Sequence, residues 1–177
     1  MRRTFLQGNF SNYGGMLIRK GKPETSIDMN IIGTAVTPYQ EIKYLGINID
    51  RSLSFTSYIS EICKKTSWRV EVVMRIWKLI PKNAKLALYK AAIRPGMTYC
   101  STVWHFCKCT DACNLERIQE RVLRAIYCDW NASCKQLLKW ANLPTLKNRR
   151  LLDITIIMYK VKSDICPTYI SDLFVKN

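Results

Sequence analysis

The spacing of apolar residues along the chain changes near residue 54. Before that point, short runs rich in Met, Ile and Leu alternate with Gly, Pro and Thr, a pattern that predicts short strands joined by turns. The predicted strands are residues 15–19, 26–32 and 42–50, and the last of them is expected to carry a bulge or a close backbone approach at Gly46. A sheet of this size is too small to be stable alone.

From Phe55 onward the apolar residues recur with the period of a helix. The clearest run, residues 58–80, places Lys64, Arg75 and Lys78 on one side, with Trp68 among the charges. Its predicted apolar face lies opposite and consists of Ile59, Ile62, Cys63, Val70, Val73, Met74, Ile76, Trp77 and Ile80. Further helices are predicted over residues 83–105, 111–127, 134–140, 146–162 and 168–175. The helix over residues 111–127 places its apolar residues on one face: Leu115, Ile118, Val122 and Ile126. Pro95-Gly96 predicts a kink or a break within the second run.

These patterns together predict an α+β fold that is mostly α. Residues 1–54 are expected to form a small antiparallel β unit, and residues 55–177 a helical bundle.

The charge of the chain is strongly basic and unevenly distributed. The sequence holds 28 Lys and Arg against 13 Asp and Glu, a formal net charge of +15; residues 55–177 hold 21 and 9 of these, or +12. Such an excess indicates an anionic partner, with nucleic acid first and an acidic membrane surface second. Besides the first helix, two sets of cations are candidate phosphate contacts: Arg117, Arg121 and Arg124, and the cluster Lys147, Arg149 and Arg150. For each residue the alternative is a solvated helix face, and for Trp68 it is burial beneath another segment.

No catalytic centre is apparent in the sequence. Nucleotidyl transfer needs paired carboxylates that hold divalent ions, but no two aspartates are adjacent, and neither GxxxxGK nor HExxH occurs. His105, Cys107, Cys109 and Cys113 offer four N/S donors within nine residues, yet their spacing lacks the CxxC knuckle of zinc sites. We therefore expect ordinary reduced thiols rather than a zinc site or any other metal site.

The sequence shows no secretory signal and no apolar stretch long enough to cross a bilayer. An intracellular protein without a membrane partner is expected, in the nucleus or the cytoplasm.

Four phrases of the sequence carry a family resemblance. In this order, EIKYLGINIDRSLSF, LYKAAIRPGMTYCSTVW, LERIQERVLRAIY and MYKVKSDICPTYISDLF resemble the C-terminal part of the reverse transcriptases of non-LTR retrotransposons of the jockey/LINE type. The resemblance extends from about Gly14 to Phe174, although the segment from His105 to Cys113 departs from the family. It implies that KYLG belongs to the last palm hairpin, where the primer end is gripped, and that the following helices form the thumb and the region beyond it.

The resemblance also implies that the paired catalytic aspartates, and the Mg²⁺ they hold, lie upstream of Met1, so that no catalytic role is assigned here. We expect a polymerase fragment that binds RNA or an RNA–DNA duplex without catalysis and whose protein partner is the upstream palm. The alternative is a non-catalytic protein-interaction or self-associating remnant. The expected nucleic-acid-binding residues are Lys43, Tyr44 and Gly46 of the hairpin, and Lys64, Trp68, Arg75, Lys78, Arg117, Arg121 and Arg124 of the helices.

Overall fold

The computed structural model describes residues 14–16, 18, 29–31 and 34–174, and it confirms an α+β fold that is mostly α. The chain divides into two compact units, Met1–Tyr58 and Ile59–Asn177. The predicted boundary lay near residue 54, and the assignment of the two parts to a palm and a thumb stays a prediction.

The described residues of the first unit form five strands. They are β1 (Gly14–Gly15), β2 (Met29–Ile31), β3 (Thr34–Pro38), β4 (Glu41–Tyr44) and β5 (Ile47–Asp50). Strand β3 pairs antiparallel with β2 and parallel with β1, while β4 and β5 form a separate antiparallel hairpin. Of the twelve residues in the predicted strands over residues 15–19 and 26–32, six lie outside the described residues.

The prediction of one bulged strand over residues 42–50 was wrong. Leu45 and Gly46 have φ angles of 47° and 83°, so both central residues of a two-residue turn are left-handed, as a type I′ hairpin turn requires. Glycine adopts this conformation readily, whereas for leucine it is unfavourable by about 1–2 kcal/mol. The Leu-Gly pair is therefore not a sequence signal of a hairpin turn, whereas Asn-Gly would be.

Asp50 orders the loop between β5 and the first helix. Its carboxylate accepts hydrogen bonds from the Ser52 hydroxyl and from the backbone N–H groups of Ser54 (3.0 Å) and Phe55 (2.7 Å). Partial burial raises the pKa of Asp50, but these hydrogen bonds outweigh that effect and lower the pKa to about 2. The carboxylate thus holds Phe55 at a φ of 55°, immediately before the helix begins.

Helices make up most of the remaining chain. They are α1 (Thr56–Ile76), α2 (Lys82–Leu88), α3 (Arg94–Thr98), α4 (Cys109–Tyr127), α5 (Cys134–Ala141), α6 (Leu146–Lys162) and α7 (Thr168–Ser171). A 3₁₀ turn, Trp77–Leu79, follows α1, and another, Asp172–Phe174, follows α7. None of the helices in the described part of the chain is long and apolar enough to span a membrane.

The distortion predicted at Pro95-Gly96 takes the form of a π-helical turn, Tyr89–Ile93, directly before α3. The Arg94 N–H bonds to the Tyr89 carbonyl five residues back, and this wider turn relieves the clash of a proline ring with the preceding turn. The helix then ends at Thr98, so the prediction that it continues to residue 105 was wrong. Cys100, with a φ of 47°, cannot continue an α-helix.

The core of the second unit surrounds α4. Leu115, Val122 and Ile126 of its predicted apolar face are buried, and Ile118 is half-buried. The α1 prediction holds for Ile59, Ile62, Val70 and Trp77, which are buried, but fails for Ile76, which is half-exposed at the end of the helix.

Two polar contacts fix the ends of α4. The Trp77 indole N–H donates to the Ala125 carbonyl at 3.0 Å, and the Glu116 carboxylate accepts the N–H groups of Leu146 (3.2 Å) and Lys147 (2.8 Å) at the start of α6. The end of α1 and the start of α6 are thereby joined to the same central helix.

Candidate nucleic-acid interface

One exposed face of α1 presents three cations and an aromatic ring. We define the α1 face as Lys64, Trp68, Arg75 and Lys78. Helix geometry places Lys64, Trp68 and Arg75 within about 40° of one another and spreads them over about 16 Å of the axis; Lys78 follows in the 3₁₀ turn. Trp68 is 66% exposed, so its alternative of burial beneath another segment was wrong.

The cations of the α1 face form no ion pair in the part of the chain that the structure describes. Among the described residues, Lys64, Arg75 and Lys78 have no carboxylate within ion-pair distance, and all three are exposed. A nucleic-acid phosphate can bind such cations without first breaking an ion pair within the protein.

Two cations that sequence reasoning missed complete a shallow cavity around the tryptophan. Lys64, Lys65, Trp68 and Arg69 line an open depression of about 350 Å³. Lys65 and Arg69 directly follow Lys64 and Trp68, one helical turn apart, so the i, i+4 spacing was the signal that could have identified them. An aromatic ring flanked by cations can stack on a base or sugar while the cations contact phosphates.

Arg69 lies close to the glycine of the Pro95-Gly96 pair. A β-carbon at Gly96 would lie 2.7 Å from the Arg69 Nη1 atom, so the guanidinium group passes closely over the α3 backbone. Lys65 is held differently, because its ammonium group pairs with Glu61 on the same helix. The three cations of the cavity therefore differ. Lys64 has no ion pair among the described residues, Arg69 lies against α3, and Lys65 pairs with Glu61.

We define the α4 stripe as Arg117, Arg121 and Arg124. These arginines form more contacts within the protein than the cations of the α1 face do. Arg117 donates to the Asn114 side chain at 3.4 Å, and Arg121 lies 3.8 Å from the Glu71 carboxylate. Arg124 is half-buried and bonds to Glu120 at 2.8 Å, while its Nε atom is buried without a hydrogen-bond partner among the described residues. The pair of Arg121 with Glu71 of α1 brings the α4 stripe beside α1.

The third predicted cluster does not form a common basic surface. Lys147 is exposed, and Arg149 pairs with Asp153 at 3.3 Å. Arg150 is only 3% exposed, and its guanidinium carbon lies 5.2 Å from the centre of the Trp104 ring. The expectation that Arg150 contacts phosphate was therefore wrong, because the first turn of α6 packs this side chain on a buried tryptophan.

The predicted hairpin residues lie together in the other compact unit. Lys43 and Tyr44 end β4, Gly46 lies in the turn, and all three are exposed together with Leu45. The hairpin tip therefore presents a cation and an aromatic ring to solvent, and a role in gripping a primer end stays a prediction.

The thiols near His105 do not assemble into a metal centre. No three His, Cys, Asp or Glu residues in the described part of the chain are grouped so that they could hold a metal ion. Burial raises the pKa of the Cys107 thiol, and a hydrogen bond with Cys109 raises the pKa of the Cys113 thiol.

Sequence comparisons connect this chain to mobile elements. It is 29% identical over 103 residues to "RNA-directed DNA polymerase from mobile element jockey" of Drosophila funebris, an alignment that covers 55% of this chain and 11% of the relative. It is 30% identical over 94 residues to "Probable RNA-directed DNA polymerase from transposon X-element" of Drosophila melanogaster, in an alignment that covers 50% of this chain and 10% of the relative. The jockey polymerase of Drosophila melanogaster is 27% identical over 103 residues.

No protein-family model matches the chain, and no solved structure matches it. The aligned region spans about a tenth of the length of the curated relatives. The matches support a region in this chain that is related to the RNA-directed DNA polymerases of non-LTR retrotransposons, and its position within such a polymerase stays a prediction.

Proposed function

We propose that this chain is a part of a retrotransposon RNA-directed DNA polymerase that holds the template–primer duplex and does not itself catalyse nucleotide addition. The observation that carries the proposal is the α1 face, where cations free of carboxylates flank an exposed indole. The polymerase relatives support nucleic acid as the anionic partner.

The use of the acidic residues strengthens this proposal. Residues 55–177 contain nine carboxylates, and six of them are occupied: Glu61, Glu71, Glu120 and Asp153 by cations, and Glu116 and Asp129 by backbone N–H groups. These six carboxylates therefore bind other groups of the protein, and the α1 face keeps its positive potential. Contacts of this kind position a duplex through its phosphates and read no sequence.

A salt series tests the proposal. Fluorescence anisotropy would follow binding of a labelled RNA–DNA heteroduplex, for the wild-type chain and for the triple variant Lys64→Ala, Arg75→Ala, Lys78→Ala. Each phosphate contact contributes about 1 to the slope of log affinity against log salt, so we expect the triple variant to flatten the slope by about 3.

The matched control removes the same charge elsewhere. Lys139, Lys160 and Lys162 are also exposed, and their triple alanine variant should leave the slope much closer to that of wild type. A salt-independent interaction, no binding, or equal effects of the two triple variants would contradict the proposal. Nucleotide incorporation by the purified chain on a primed template with Mg²⁺ would contradict its non-catalytic part.

A second candidate function, self-association, is favoured by the exposed apolar side chains of α6 and the segment after it. These are Leu151, Leu152, Ile156, Ile157, Met158, Tyr159, Ile165 and Tyr169. Exposed apolar side chains in this number are typical of an interface. If they bind a second copy of the chain, light scattering after size exclusion should show a mass that rises with concentration. The double variant Leu152→Glu with Ile156→Glu, whose positions share one face of α6, should return the mass to that of a monomer.

A further inference from the structure

A second cavity, lined by two aromatic and two charged side chains, lies where four segments of the helical unit meet. Lys82 of α2, Tyr127 at the end of α4, Asp129 of the following loop and Trp140 of α5 line an open cavity of about 400 Å³. This volume is within the range of small-ligand pockets, and the α1 face contributes none of these residues.

The cavity is built by local contacts that fix each wall. Cys128 ends α4 in the left-handed conformation, with a φ of 55°. One oxygen of Asp129 then accepts the N–H groups of Asn131 and Ala132, both at 2.9 Å. This arrangement orders the loop that leads to the capping box of Ser133 at the start of α5.

The two rings of the cavity meet at an angle and leave ring surface accessible. The ring centres of Tyr127 and Trp140 are 5.4 Å apart with an interplanar angle of 47°, and Trp140 is 50% exposed. A planar ring can therefore stack on the indole while its edge meets the polar groups of the cavity.

The position of Lys82 selects the charge of the ligand. Its ammonium nitrogen lies 4.3 Å from the centre of the Tyr127 ring, where a cationic ligand of an aromatic cage would bind. A second cation is disfavoured beside Lys82 and a phosphate is favoured there, whereas the Asp129 carboxylate disfavours a phosphate on its own side of the cavity and suits an uncharged donor group of the ligand. The second carboxylate oxygen of Asp129 has no hydrogen bond among the described residues and can accept one from an amino group of a base.

We infer that this cavity binds an unpaired nucleotide from a single-stranded part of the nucleic acid, with the base on Trp140 and the phosphate near Lys82. A paired base within a duplex is stacked on its neighbours and cannot enter, so the ligand is an overhang or a displaced strand. The inference rests on the proposed function for its ligand, and extends it from duplex to single-stranded segments.

The experiment compares two labelled heteroduplexes, one blunt and one with a short single-stranded RNA overhang that carries 2-aminopurine. Stacking of one base is worth a 5- to 150-fold change in affinity, from about 1–3 kcal/mol per base. We expect wild type to prefer the overhang substrate and to quench 2-aminopurine fluorescence, and Trp140→Ala to lose both effects while its affinity for the blunt duplex stays unchanged. Lys82→Glu should also lose the preference, and circular dichroism checks that both variants fold.

Trp130→Ala is the matched control, because Trp130 is 62% exposed and does not line the cavity. It should retain the preference. No preference in wild type, a preference that survives Trp140→Ala, or an equal loss in Trp130→Ala would overturn the inference. If Trp140-dependent binding of the free single strand persists while the blunt duplex does not bind, the inference stands and the proposed duplex function fails.

Discussion

The α1 face and the α4 stripe look alike in sequence, but they differ in whether their cations form ion pairs within the protein. Each places three cations at helical spacing. In the α1 face, Lys64, Arg75 and Lys78 lack carboxylate partners among the described residues, whereas Arg121 and Arg124 of the α4 stripe pair with Glu71 and Glu120. A stripe of cations therefore indicates a binding surface only when the surrounding acids are occupied elsewhere.

The two ion pairs of the α4 stripe also differ from each other. Glu120 and Arg124 are four residues apart on one helix, so their pairing follows from the helical period. Glu71 reaches Arg121 from α1, and only the packing of two helices creates that pair. Both members of the pair are mostly exposed, so it contributes at most about 1 kcal/mol and can exchange for phosphate.

The largest effect is expected from removing the aromatic ring of the α1 face. Trp68→Ala should weaken heteroduplex binding 5- to 150-fold, because stacking contributes about 1–3 kcal/mol, and it should leave the salt slope unchanged because no charge is lost. Anisotropy at several salt concentrations measures both quantities. If the slope falls as it does for the cation variants, Trp68 acts by positioning those cations rather than by stacking.

A smaller effect, in the opposite direction, is expected from releasing Arg121. Glu71→Gln removes the acid that joins the α4 stripe to α1, so duplex affinity should rise up to about fivefold, the equivalent of a surface ion pair. Asp164→Asn is the control, because Asp164 is exposed and joins none of the ion pairs among the described residues. Equal gains for the two variants would show that net charge, and not the local pair, sets the affinity.

The smallest effect is expected at Gly96. In Gly96→Ala the new methyl group displaces the flexible end of Arg69, while alanine favours the helix by about 0.5–1 kcal/mol, so the free energy of unfolding should change by less than about 1 kcal/mol. In an Arg69→Ala background the displacement is absent, and the same substitution should give its full stabilisation. Urea unfolding of the four proteins in this cycle measures the coupling, and a destabilisation in the Arg69→Ala background would show that backbone, not Arg69, limits this position.

Most helices of the second unit could be predicted because periodicity is a local property, although the run over residues 83–105 ends early, at Thr98. The ends of α4, α5 and α6 fall within two residues of the predicted ends, and Trp68 is exposed as its position among charges indicated. The hairpin at Leu45-Gly46 was missed because leucine is not a usual residue for a left-handed turn. The burial of Arg150 was missed because Trp104, which it contacts, lies far away in the sequence.

The sequence alone determined the basic excess, the class of fold, the cationic face of α1 and the link to polymerases of mobile elements, because each depends on composition, short-range spacing or ordered motifs. Only the tertiary structure decided which cations remain free, and it alone brought Lys82, Tyr127 and Trp140 around one cavity. The physical reason is that ion pairing and cavity formation depend on distances between side chains of different helices. Those distances are set by how the helices pack around α4.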